Sequence, residues 1–310
     1  MNVQPRRLEV SSGVHAYVQP DGSWWVSNAA FVATQEAVVL VDTCATEART
    51  KALRAALHEV TGGREPDLIV LTHEHGDHAY GTSLFPGTPV LSSDACRTAL
   101  RSAIDPHDLP PLWQPMPDWG GVRVRTPDVT VGAGTTVWAG DLAIELHPVP
   151  GRAHTTGDLV AWLPEQRVLC CGDLVFNGGT PLAAFGSVPG MLRALGWLEG
   201  FGAKVVIPGH GPVTDASVLA SQRSYFEWVW EAAADGHRRG VPPLEFARQL
   251  DLQASGFAGL HDSHRIVMNL HRAYADLDAP AGIDSAGNLD PAVVAGDAVA
   301  LEGGPLPCVA

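Results

Sequence analysis

Two rhythms of apolar and polar positions run along the chain. Short apolar runs that end abruptly in polar or glycine-rich residues read as strands: Asp67 to Thr72 (DLIVLT), Leu142 to Val149, Arg167 to Cys170 and Lys204 to Ile207. His15 to Gln19 and Trp24 to Asn28 read as a hairpin about the turn Pro20-Asp21-Gly22-Ser23, and Phe31 to Val41 continues as strand. Longer segments predict helices over Thr46 to Val60, Val188 to Phe201, Ser217 to His237 and Ser263 to Leu277, with another starting at Ala79. In Ser263 to Leu277, Ile266, Leu270, Tyr274 and Leu277 share one face, which is a core stripe. Asp105 to Gly121 is too dense in proline for regular structure.

The strand ends carry the chemistry. His73-Glu74-His75-Gly76-Asp77-His78 follows the first of these strands and sets four possible metal ligands within six residues. Alternate positions in a strand-to-loop turn point the same way, so His73 and His75 can grip one ion as neutral imidazoles. Asp77 and His78 turn away and can hold a second. His154 follows Leu142 to Val149, Asp173 follows Arg167 to Cys170, and His210 follows Lys204 to Ile207. Each sits near glycine at the carboxyl end of an apolar run, where α/β sheets place chemistry and glycine permits close backbone approach.

The order His73-x-His75-x-Asp77-His78, His154, Gly172-Asp173, Gly209-His210 resembles the metallo-β-lactamase-fold superfamily over about residues 12 to 275. The resemblance implies one α/β domain, a four-layer αβ/βα sandwich with the metal site at strand ends between the two sheets. It implies that His73, His75 and His154 hold one zinc, that Asp77, His78 and His210 hold another, and that Asp173 bridges them. True β-lactamase subclasses use cysteine or serine at the bridging position. Cys171, two residues away, is expected to be buried strand filler. Two divalent cations lower the pKa of a bridging water and make a hydroxide nucleophile, which Asp77 can orient as the catalytic carboxylate. The donor set suits zinc and also accepts iron or manganese. Asp42 and Asp158 are candidates to fix the imidazoles from behind, against plain turn or cap roles.

Composition narrows the reading. The chain has 310 residues with a net charge of −14, which disfavours nucleic-acid partners. No apolar run approaches the ~20 residues of a membrane span. No apolar segment follows the charged pair at the N-terminus, and five cysteines show no disulfide-like spacing, so a reducing cytoplasm is expected. Residues 1–277 are expected to form the catalytic domain and 278–310 a loosely attached extension. His261, His264 and His271 are expected at the surface or at caps.

Trp24 and Trp25, near the hairpin tip, are candidate lids, with one ring facing in and the other out, against the plain reading that strand tryptophans belong to the core. Trp113 and Trp119 in the irregular loop are a second candidate wall, and Asn177 and Thr180 candidate polar contacts. Four rings at a metal mouth would favour a flat apolar or aromatic acyl group, either as a small molecule or on a carrier protein. The phrases around Trp24-Trp25, Gly151-Arg152-Ala153-His154-Thr155 and Cys171 to Phe176 resemble a bacterial branch that includes cyclase-thioesterases of aromatic polyketide biosynthesis. That branch implies thioester hydrolysis coupled to ring closure. Alternatives are a lactonase or β-lactamase-type hydrolase of a cyclic carbonyl, a glutathione thioesterase, and an iron-dependent redox member of the fold. A glutathione enzyme would need a basic clamp that the acidic C-terminal half offers little of. A non-enzymatic scaffold is disfavoured because all seven donors are present.

Overall fold

A computed structural model describes residues 4–279 and 289–310. Its larger sheet runs β1 (Arg6–Ser11), β2 (Val14–Val18), β3 (Ala29–Ala33), β4 (Val38–Val41), β5 (Leu68–Val70), β6 (Val90–Ser93), then β8 (Val129–Val131); β7 (Trp113–Gln114) lies apart from it. The first four strands pair antiparallel, and β4, β5, β6 and β8 pair in parallel. The second sheet is formed by β9 (Thr135–Ala139), β10 (Leu142–Pro148), β11 (Leu159–Leu163), β12 (Val168–Cys170) and β13 (Val205–Ile207). Only its β12–β13 pair is parallel.

The central strands β4, β5, β6, β11 and β12 are buried on both faces and mostly apolar without alternation, whereas the edge strands β1 and β9 are largely exposed or alternate. Val39, Val41 and Val70 of one sheet meet Ile144, Leu146 and Leu163 of the other in the central layer. On the outer side of the larger sheet, Leu53 and Leu57 of α1 (Glu47–Thr61) cover Phe31, Leu40 and Ile69. Each such leucine contributes about 1.5–3 kcal/mol by leaving water. Asp77 and His78 of the metal motif lie on α2 (Gly76–Ala79), and α3 (Asp94–Leu100) follows β6. The second sheet is covered by a layer that contains α4 (Val188–Glu199), α5 (Ser217–Arg238), the short α6 (Pro243–Ala247) and α8 (Arg265–Asp278), with the single turn α7 (Leu252–Ser255) outside the core. The expected αβ/βα sandwich is therefore the observed one.

Four expectations change. Trp24 to Asn28 is loop, not strand: Asp21 and Trp25 have positive φ (67° and 65°), and the Asn28 amide donates to the carbonyls of Pro208 and Gly211. The segment has left its sheet to cross to the other one. Phe31 to Val41 is two strands, because the Thr34 hydroxyl accepts from the backbone of Glu36 and Ala37 and turns the chain. The helix after the metal loop begins at Gly76 and so contains Asp77 and His78, not at Ala79.

The C-terminal segment is not loosely attached where it is described. Asp290 caps α9 (Pro291–Glu302), whose Val294 and Ala298 join the core under α8. The final strand β14 (Leu306–Pro307) pairs in parallel with β7, and Leu306 is buried. Apolar residues in a Gly- and Ala-rich tail gave a weak periodic signal, yet they find a matching surface on the domain.

Candidate metal centre

Four strand ends and one short helix bring the seven expected donors together. His73 and His75 leave β5, and His154 leaves the β10–β11 connection. His73 Nε2 and His154 Nε2 stand 3.0 and 2.9 Å from His75 Nδ1. Asp173 Oδ2 lies 3.3 Å from His154 Nε2 and 3.9 Å from His73 Nε2. These four side chains form one cluster. Asp77, His78 and His210 form the second. There the other oxygen of Asp173, Oδ1, lies 3.0 Å from His78 Nε2 and 3.3 Å from His210 Nε2. His210 Nε2 is also 3.2 Å from Asp77 Oδ2. Asp173 thus presents one oxygen to each cluster, as the bridging role requires.

Groups behind the ligands set which ring nitrogen faces the centre. His78 Nδ1 donates to Asp42 Oδ2 at 2.9 Å, and Thr72 Oγ1 donates to the same oxygen at 2.7 Å. With its proton so committed, Thr72 Oγ1 accepts from His73 Nδ1 at 3.0 Å. His154 Nδ1 donates to the Leu182 carbonyl at 2.7 Å and His210 Nδ1 to the Gly22 carbonyl at 3.0 Å. Each of these four rings is left with an Nε2 lone pair on the centre. Asp42 adopts φ 62°, a left-handed geometry that Asp tolerates better than most residues. Gly209 is dictated by the site, since a Cβ there would stand 2.0 Å from Asp173 Oδ1.

Sequence reasoning named Asp42 correctly as an imidazole anchor. It missed Thr72, although its place beside His73 was visible, and it could not have found the two backbone carbonyls. Asp158 does a different job from the one expected. Its oxygens accept from the backbone and hydroxyl of Thr155, fixing the turn that carries His154 without touching the imidazole. Cys171 is buried among apolar residues, as expected of filler.

The donor chemistry fits metal ions. Burial, and then the neighbouring imidazoles, push His73 well below the ordinary range and His75 down to about 3. A neutral His75 can give its one N–H to only one of the two facing Nε2 atoms, so three such nitrogens within 3 Å leave lone pairs that a cation would satisfy. Burial also opposes the charged forms of His78 and His210, yet Asp173 and the other carboxylates outweigh it. They hold His78 well above its usual value and His210 up to about 9. His78 Nε2 and Asp173 Oδ1 are buried without a hydrogen-bond partner among the described residues. His73, His75 and His154 with Asp173 are the residues that would hold one ion; Asp77, His78 and His210 with Asp173 would hold the second.

The centre opens into a cavity of about 720 Å³. His75, Asp77, Asp173 and His210 lie at one end, and apolar side chains form most of the rest. Trp24, Trp25 and Trp113 line it. The two hairpin rings do not alternate in and out, because the segment is not a strand. Trp119 is not at the wall; it packs behind Trp25, at 4.9 Å between ring centres, with Ala45, Tyr80 and Val122. Asn177 lies at a separate cavity of about 400 Å³ and donates to the Pro212 carbonyl. Thr180 is buried, with its hydroxyl on the His261 carbonyl. Neither is a substrate contact in this geometry. His264 is at the N-cap position of α8, as one of the two expected roles has it, but its ring is buried beside Trp24 and makes no capping bond, while His271 is half-buried and pairs with Asp297. None of His261, His264 and His271 joins a metal cluster.

Such a sandwich, with two donor clusters joined by one carboxylate, defines a binuclear metallohydrolase. Residues 22–210 match the family model of the metallo-beta-lactamase superfamily, and the chain belongs to that superfamily. It is 25% identical over 203 residues to a metallo-beta-lactamase type 2 of Bacillus cereus, covering 62% of this chain and 70% of the relative. It is 33% identical over 159 residues to a hydroxyacylglutathione hydrolase of Anaeromyxobacter dehalogenans, covering 48% of this chain and about half (49%) of that protein. A metallo-beta-lactamase structure from Pontibacter korlensis superposes with a TM-score of 0.59 at 26% identity, covering 72% of this chain and 99% of that one. These relatives carry β-lactamase and glutathione-thioesterase names, so the narrower likeness to polyketide cyclases gains no support from them.

Proposed function

We propose that the chain is a dizinc hydrolase that opens a cyclic activated carbonyl, a lactone or β-lactam, bearing a bulky apolar group. The observation that carries this reading is the seven-donor centre at the end of a large, mostly apolar cavity. The likeness to metallo-beta-lactamases supports the cyclic carbonyl. When bound, a metal pair supplies an acidified water and a Lewis acid for the substrate carbonyl. The protein does the rest. Asp173 holds the two clusters in register, and Asp42, Thr72 and two carbonyls lock the rings. Asp77 lines the cavity and can take the proton of the attacking water. The tryptophan walls exclude bulk water from the acyl group.

A second reading, an open-chain thioester, is favoured by the hydroxyacylglutathione hydrolase relatives. Glutathione itself suits the cavity poorly. Arg265 is the one lysine or arginine among the described lining residues, and Asp262 Oδ2 engages it at 2.9 Å. An apolar acyl thioester suits it better, and ring closure of a polyketide chain would be a special case.

The test compares kcat/KM for a chromogenic cephalosporin, an aryl-substituted lactone and a β-ketoacyl N-acetylcysteamine thioester on one zinc-loaded preparation. A tenfold preference for either cyclic substrate, equal to ~1.4 kcal/mol, supports the first reading. The same margin for the thioester replaces it with the second, and a cyclised product would establish the ring-closing form. Iron as the sole bound metal, with oxygen consumption and no hydrolysis, overturns both.

A further inference from the structure

Part of the cavity wall is built by chain that lies beyond the family-matched residues 22–210. On α9, Val294 and Ala298 pack inward four residues apart, while Ala292, Ala295 and Gly296 share a second face at i, i+3 and i+4 and line the cavity. A Cβ at Gly296 would meet no protein atom within 4 Å, and both Ala292 and Gly296 are exposed while lining the cavity. Asp173, 5% exposed, lines the same cavity, and its Oδ1 faces the Nε2 atoms of His78 and His210. The same C-terminal segment braces the aromatic wall. Glu302 accepts from His264 Nδ1 at 2.9 Å, and His264 Nε2 accepts from the Trp24 indole at 2.7 Å. β14 pairs with β7 and so fixes Trp113. Two apolar side chains at the cavity, Ile104 and Phe185, are left 55% and 39% exposed.

We propose that the C-terminal segment is the specificity element of this enzyme. The small-residue face of α9 receives the distal end of a rigid apolar or aromatic acyl group, and Ala292, Ala295 and Gly296 set how long that group can be. The inference rests on the hydrolase reading above but not on which carbonyl derivative is cleaved. A larger side chain at Gly296, a lining position, displaces no protein atom, and it removes a helix-interior glycine, so the variant folds.

The experiment uses the full-length zinc-loaded protein, Gly296→Leu, and Ala300→Leu as a control on an exposed position of α9 away from the cavity. Binding of 2-naphthoate is followed by tryptophan fluorescence, and kcat/KM is measured for naphthoyl and acetyl thioesters. The expected result is at least tenfold weaker naphthoate binding in Gly296→Leu and a tenfold fall in its naphthoyl-to-acetyl ratio, with Ala300→Leu like wild type. Unchanged naphthoate affinity in Gly296→Leu, or an equal loss in Ala300→Leu, overturns the proposal. If no thioester is cleaved by any variant, the thioester reading fails, while the naphthoate titration still decides the role of α9.

Discussion

Asp42 Oδ2 accepts the Nδ1 proton of His78 at 2.9 Å and so aims its Nε2 at the metal centre. Because the same carboxylate also holds Thr72, which holds His73, one residue orients a ring of each donor cluster. Asp42→Ala is therefore expected to weaken both metal sites, by about 10–100-fold. Competition against a chromogenic chelator measures it. Loss of one metal only, with the other at wild-type affinity, would show that the Thr72 arm of this relay is idle.

Gly209 is the second lever. A Cβ there would stand 2.0 Å from Asp173 Oδ1 and 2.7 Å from the Gly172 carbonyl carbon, so either the bridging carboxylate or the backbone must shift. Gly209→Ala should displace the bridging carboxylate, and at least half the zinc should be lost on dialysis along with more than 90% of turnover. A folded variant that retains two zinc ions and full activity would mean that the bridge tolerates a shift the geometry forbids.

Asp77 carries two assignments, metal ligand and proton acceptor, and one substitution separates them. Asp77→Asn keeps an oxygen for the ion but loses basicity. At saturating zinc, turnover is expected to fall by 10²-fold or more, the range that general-base loss spans. Near-normal turnover in the zinc-saturated variant leaves Asp77 a ligand alone.

What could be read beforehand follows the physics of each signal. The metal ligands were legible because most of them follow a buried strand, where a sharp apolar-to-polar break marks the end, and Asp77 and His78 come directly after such a pair. Asp42 was legible for the same reason, at the end of β4. The aromatic walls were only half legible: Trp119 and Trp113 look alike in a proline-rich loop, and only packing makes one core and the other wall. Trp24 and Trp25 were given strand alternation, but Asn28 bonds to the His210 loop and pulls that segment out of the sheet. The tail misled because α9 gains its stability from α8 and the core, with little periodicity of its own.

The division between Trp119 and Trp113 predicts two different phenotypes. Trp119→Ala should cost about 3–5 kcal/mol of stability, as a large buried ring does, with kcat/KM of the surviving folded protein little changed. Trp113→Phe should keep the fold and raise KM for aromatic substrates. Urea unfolding together with steady-state kinetics separates the two. Equal kinetic damage from both variants would place Trp119 in the substrate wall after all.

The brace between Trp24 and the C-terminal segment predicts a pH dependence. Burial lowers the pKa of His264; Asp262 and Glu302 oppose that shift, and Arg265 reinforces it. The neutral ring is the one the structure needs, since Nδ1–H donates to Glu302 and bare Nε2 accepts from Trp24. A folded-state pKa below the unfolded 6.5 means that the unfolded chain binds the proton more readily. The contribution of this contact is therefore full above about pH 6.5 and is lost as pH falls below it towards the lowered value. His264→Gln offers an acceptor to Trp24 and cannot titrate. Wild type should be the more stable at pH 7.5, and its Tm advantage over His264→Gln should shrink steadily towards pH 5. A constant difference across that range would mean that the His264 proton plays no part in holding the cavity wall.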